Sequence, residues 1–233
     1  MSVAVKFAKS LWADIRRFRL RRPDLKGWDR RKLVWPLHVM THPFAGLSDV
    51  KYEGMGSTPV ALLVVALYFV TNVLRYFYTG FIFNMNLAAA FNILMELLSS
   101  VVLVFLWTVA NWSVSTLMDG EGRLRDIWIV SCYALMPKLL VNLLVTVLSN
   151  FMVYEENIFL GTLDMLGILW MAALLVLGIL IVHQYSLLKT LACCLLTIFG
   201  IAAILFMVIL FISIVQQMMG FTNTVSVELL NRY

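Results

Sequence analysis

An all-α, polytopic membrane bundle of five transmembrane helices is the fold this 233-residue sequence predicts, on three observations. Apolar residues make up 62% of the chain and charged ones 13%, a balance that leaves no adequate polar surface for a water-soluble domain. Five apolar runs are long enough to cross about 30 Å of hydrocarbon at about 1.5 Å per helical residue. Basic residues also alternate between successive connections in the way that orients membrane proteins. A transmembrane barrel would show segments of about ten residues with alternating polarity, whereas these runs are apolar on every side.

In chain order, residues 1–32 form a basic arm. Phe7, Leu11, Ile15 and Phe18 recur at helical spacing while Arg16, Arg17, Arg19, Arg21 and Arg22 crowd the remaining surface, the pattern of a short basic amphipathic helix that ends before Pro23. Such a helix suits either anionic lipid headgroups or a docking partner, and both use the same face. The net charge of +5 lies beside a membrane, so lipid headgroups rather than nucleic acid are its expected counter-charge. The first twenty residues lack the unbroken apolar core of a secretory signal.

Residues 33–58 are too short, and too interrupted by Pro36, Pro43 and Gly46, to cross a bilayer; they are expected to lie along its interface. His38 and His42 stand four apart with no third ligand, so no metal site is expected there. The transmembrane domain covers 59–217, with spans at 59–79, 87–111, 126–149, 157–183 and 189–216, and a short polar tail follows at 218–233. Twelve of the eighteen basic residues precede the first span. Arg123 and Arg125 lie between spans two and three, and Lys189 between four and five, whereas the other two connections carry no charge or only Glu155 and Glu156. The N-terminus is therefore expected in the cytoplasm and the C-terminus outside. Cys132, Cys193 and Cys194 fall inside spans without ligand spacing and are expected to pack as small apolar residues.

Four ionisable residues interrupt the spans: Arg75, Glu96, Lys138 and Asp164. A lone charge in hydrocarbon costs a few kcal/mol or more, so such groups face the bundle and pair. Counting along each span places all four in the outer half, where two cations and two anions form one neutral layer with Asn72, Asn92 and Asn142 as neighbours. The layer serves as a structural clasp, or as a polar path for a proton, ion or small solute. Pro137 beside Lys138 removes a backbone donor and frees a carbonyl there. Between spans two and three, Asp119, Gly120, Glu121 and Gly122 read as a tight turn, with Asp119, Glu121, Arg123 and Arg125 solvated or facing a partner. No HExxH, GxxxxGK or GxSxG pattern is present, and neither an enzyme nor a cofactor is expected.

Two stretches give the sequence a kinship: HPFAGLSDVKYEGMGS at 42–57, leading into the first span, and NWSVSTLMDGEGRLRD at 111–126, followed by Tyr133 and Pro137. In these, and in its five-span layout, the chain resembles the Yip-domain family, Ypt-interacting proteins of the Yip-one type, in the form found in bacteria. The resemblance covers about 33–216. It implies a bacterial cytoplasmic-membrane protein with membrane partners, and bacterial relatives are often encoded beside sugar-uptake ABC transporters. Eukaryotic relatives contact small GTPases through a cytosolic N-terminal arm and carry an acidic element before span one, but His42, Pro43, Phe44 and Gly46 stand in its place here. The expected function is a non-enzymatic accessory or scaffold protein that binds another membrane protein, an ABC-type sugar transporter being the implied candidate, or assembles as a homo-oligomer. The alternative is a small channel or transporter that uses the charged layer. The topology is directly testable: a reporter active only in the cytoplasm should work when fused at residue 1 and fail after Tyr233, and equal activity at both ends would require an even number of spans.

Overall fold

A computed structural model describes residues 30–84 and 91–231, which form helices joined by short turns. Phe7, Leu11, Ile15, Arg16, Arg17 and Phe18, and the amphipathic helix expected of them, lie outside the described residues. Among the described residues, five helices are long and apolar enough to cross a membrane. The elements are α1 (Arg30–Thr41), α2 (Pro43–Tyr52), α3 (Thr58–Tyr78), α4 (Ile93–Leu117), a third span made of α5 (Leu124–Ala134) and α6 (Met136–Leu148), α7 (Asn157–His183) and α8 (Leu187–Asn231).

The third span is the axis. Of its most apolar stretch 67% is buried, against none for α8, and Ile127, Val130, Tyr133 and Ala134 are closed off from the surroundings. Span α3 runs parallel to it and is tied to it at four levels. Arg125 reaches Thr58 at one end, the Ser57 N–H donates to the Tyr133 hydroxyl (3.2 Å), Arg75 donates to Asn142 (2.9 Å), and the Gly80 N–H donates to Ser149 Oγ (2.8 Å). On the opposite flank α7 runs antiparallel, with Gly167 against Val141 and Gly178 against Val130. Lipid supplies no hydrophobic drive between helices, so close backbone approach at small residues is what packing gains from. Helix α8 leans on α4 near Gly200, which faces Ala110 and Val114. Pro137 has no N–H to continue a helix from below, so α5 ends at Ala134 and α6 restarts with this proline in its first turn, where no donor is needed.

Three features were not foreseen in the sequence. Residues 33–52 form an antiparallel hairpin packed into the bundle. Val39 and Leu47 are fully buried in the main apolar core, and Trp35 Nε1 donates to the Gly46 carbonyl (3.1 Å). One end of the hairpin meets Val182 through Lys51, and the other meets Trp170, whose Nε1 donates to the Met40 carbonyl (3.2 Å). The two contacts are about 18 Å apart along α7. The prolines do not prevent this, because Pro43 opens α2 where its missing N–H costs nothing. The second span begins, among the described residues, at Ile93 rather than 87 and runs past Asn111 to Leu117. Asn92 Oδ1 accepts from the Leu94 and Met95 N–H groups (2.9 and 3.3 Å) and caps the helix there. The 218–233 tail is helical as far as Asn231, since it contains no proline and a single glycine, Gly220, costs a helix only about 1 kcal/mol.

The hairpin closes at Gly46, where a Cβ would stand 2.9 Å from Val39 Cα, whereas nothing lies within 4 Å of a Cβ at Gly161. Gly46→Ala should therefore lower stability by about 1–3 kcal/mol, and Gly161→Ala should be neutral or raise it by up to about 1 kcal/mol. Unfolding midpoints of the two variants in detergent would compare them, and equal shifts would contradict the packed hairpin.

Candidate functional site

Asp164 on α7 is the centre of the charged layer. Its Oδ1 accepts from Arg75 Nη1 on α3 (2.6 Å) and also from Lys138 Nζ on α6, so one carboxylate holds cations from two other spans. The network continues sideways: Arg75 Nη1 also donates to Asn142 Oδ1 (2.9 Å), and Asn142 Nδ2 donates to Asn72 Oδ1 (2.6 Å). Lys138 is the least accessible of the three charged groups, with a side chain 9% exposed just beyond the break in span three.

Glu96 does not join this contact and makes no ion pair among the described residues. The cap at Asn92 is the reason. It places Glu96 in the first turn of α4, near the water-facing end, where a helix N-terminus favours negative charge without a partner cation. The same cap occupies the Asn92 side chain, which is thereby removed from the layer. Glu96 instead lines a polar cavity with Arg75, Asn72 and Thr79. Just beyond it, Ser99 Oγ donates to the Glu96 carbonyl (3.0 Å), and the helix passes through a π-helical turn at Leu98–Val102.

A second polar cluster occupies the opposite end. The 119–125 loop folds over the end of α7, with Asp119 in the left-handed region (φ 56°) and Gly120 N–H bonded to the Ser115 carbonyl (2.8 Å). Gly122 N–H donates to His183 Nδ1 (3.2 Å), which leaves the Nε2 hydrogen for Asn111 Oδ1 (3.2 Å), and Asn111 Nδ2 donates to Thr197 Oγ1 (3.0 Å). One buried imidazole thus joins the loop, α4, α7 and α8. A Cβ on Gly120 or Gly122 would overlap the His183 ring, so these glycines are required for close approach. Tyr185 stacks on His183 and donates to the Met118 carbonyl (3.2 Å), and burial pushes its hydroxyl up to about 12. Lys51 Nζ donates to the Val182 and Ile181 carbonyls (2.6 and 3.3 Å) at the C-terminus of α7, where a cation is favoured. Burial holds its ammonium below the usual lysine range, while Glu121 and Asp126 pull it back up. Asp119, Glu121, Arg123 and Arg125 themselves remain exposed around this hub.

The two stretches that carry the sequence resemblance therefore converge, since 42–57 supplies Lys51 and 111–126 supplies Asn111 and the glycine loop. His183, Lys51 and Asn111 were not singled out in the sequence as site residues. The available signals were a lone histidine closing an apolar run and two glycines alternating with Asp119 and Glu121. Residues 37–224 match the family described as Yip1 domain. No curated protein and no solved structure matches the chain.

Two cations on one carboxylate make an asymmetric prediction. Asp164→Asn strands both Arg75 and the buried Lys138 and should cost about 3 kcal/mol or more, whereas Lys138→Met leaves the Arg75 pair intact and should cost less. Adding Lys138→Met to Asp164→Asn should restore part of the loss, and adding Glu96→Gln should not. Unfolding midpoints for the full set measure this, and strict additivity of Lys138→Met with Asp164→Asn would dissolve the clasp.

Proposed function

This chain belongs to the Yip1-domain family, and from that premise we propose that it is a non-enzymatic accessory or scaffold protein of the bacterial cytoplasmic membrane, with its N-terminus inside, that grips another membrane protein through α8. An ABC-type sugar transporter is the partner class this reading favours. The observation that carries it is the length of α8. From Leu187 to Asn231 the helix measures about 68 Å, more than twice the hydrocarbon thickness, and a tilt of up to about 40° does not absorb the difference.

Lipid exposure alone would mean nothing for an apolar helix. Met218, Met219 and Phe221, however, stand about 50 Å along α8 from Leu187 and are 62–70% exposed. With Leu187 at one face of the hydrocarbon, this reading puts them beyond the opposite face, and apolar surface facing water is where protein partners bind. The exposed charges Asp119, Glu121, Arg123 and Arg125 offer a second contact at the other end. The channel or transporter alternative gains less support, because a polar path past Lys138 would have to pass Tyr133, Val130 and Leu174, which pack together in the buried core.

The test uses full-length protein purified from its host in mild detergent. A partner subunit should co-purify, and replacing Met218, Met219 and Phe221 together by Ser should release it without moving the unfolding midpoint of the bundle. A partner-free homo-oligomer that ignores the triple substitution would overturn the scaffold reading.

A further inference from the structure

The cavity beside Glu96 has a volume of about 310 Å³ and is bounded by Asn72, Arg75, Tyr76, Thr79, Asn84 and Glu96. Its two charged walls are unequally committed. Arg75 and Lys138 share the single carboxylate of Asp164, so that wall keeps an excess positive charge. Glu96, in the same lining, brings a negative charge that no ion pair among the described residues offsets. A simple cation is opposed by the first wall and a simple anion by the second, whereas a molecule bearing both charges satisfies each. Exposed Phe77, Tyr78, Phe81, Ile82 and Leu94 stand at the same end of α3 and α4. Aromatic and apolar side chains gather in this way where hydrocarbon gives way to headgroups.

We propose that this cavity binds a zwitterion, its phosphate or carboxylate on the remaining guanidinium N–H groups of Arg75 and its ammonium on Glu96. Guanidinium matches a planar or tetrahedral oxyanion with paired donors, and the Asn72 amide and Thr79 hydroxyl supply neutral contacts between the charges. At about 30 Å³ for each water-sized group, the space holds about ten of them, enough for an ethanolamine phosphate or an amino acid. The ethanolamine headgroup of a phospholipid in the adjoining leaflet and a free zwitterion in water present the same chemistry. Neither involves α8, so this site stands apart from the scaffold reading.

The experiment reconstitutes the full chain in vesicles of equal phosphatidylethanolamine and phosphatidylglycerol, extracts it into detergent and quantifies the retained lipid. Ethanolamine lipid should be enriched about tenfold, the worth of one hydrogen-bonded charge contact. Glu96→Gln, which breaks no ion pair and should fold normally, should abolish that preference. In parallel, millimolar phosphoethanolamine is added to lipid-stripped protein and the unfolding midpoint is read. A rise in wild type that Glu96→Gln lacks, without lipid enrichment, assigns the site to a free solute, and enrichment without a rise assigns it to the headgroup. Folded wild-type protein that shows neither effect, or a preference that survives Glu96→Gln, overturns the proposal.

Discussion

A charge carried into hydrocarbon must meet its opposite there, and in this protein one carboxylate meets that requirement for two cations. Asp164 draws Arg75 from α3 and Lys138 from α6 onto the same oxygen, and the helices must follow. Removing that oxygen would leave the buried Lys138 ammonium without an anion, in a setting where its own desolvation already opposes the charge. The amide chain extends the same logic, because Arg75 donates to Asn142 and Asn142 donates to Asn72, each across to a neighbouring span. What holds these three spans in register is therefore polar, although most of their surface is not.

At the other end the tie is neutral. His183 accepts from a loop glycine and donates to Asn111, a pattern that uses both ring nitrogens and needs no counter-ion. It gathers α4, α7 and α8 under the 119–125 loop, and Lys51 caps the last carbonyls of α7 beside it. Span α8 depends on this end. Its buried polar contacts, through Thr190, Cys193 and Thr197, fall in its first few turns, and beyond Gly200 most of its side chains as far as Thr222 are exposed.

Much of this architecture was legible in the residues. The fourth span was readable to its termini, 157–183, because an apolar run between an acidic connection and a histidine has unambiguous ends. The meeting of Arg75, Lys138 and Asp164 followed from cost and depth alone, since unpaired charge in lipid is too expensive to leave any of them isolated. The hairpin at 30–52 was not legible, because two prolines and a glycine in twenty residues look the same whether they mark an irregular surface segment or a tight turn between two short helices. Deciding between them takes the tertiary contact of Val39 and Leu47 with span three. Glu96 was placed too deep for a related reason: apolar residues before Ile93 lengthen the run, while the polar cap that ends the helix is a single asparagine. The His183 hub was hidden because its members are far apart in sequence and individually ordinary.

The two clusters are joined by one rigid element. Between Asp164 and His183, α7 is an unbroken α-helix, while span three is interrupted at Leu135 and the second span passes through its π-turn at Leu98–Val102. One irregularity lies on the axis of the bundle and the other on a helix packed against it, at levels between the charged layer and the glycine loop. Packed interiors shift between discrete arrangements more readily than they deform continuously, and breaks of this kind are where a helix absorbs a change in angle. The unbroken α7 sets the spacing of the two ends, and the broken second and third spans are free to adjust to it. On the proposed scaffold role, a partner along α8 would meet the bundle through the His183 end, where Thr197 holds Asn111, and through α4 beside Gly200.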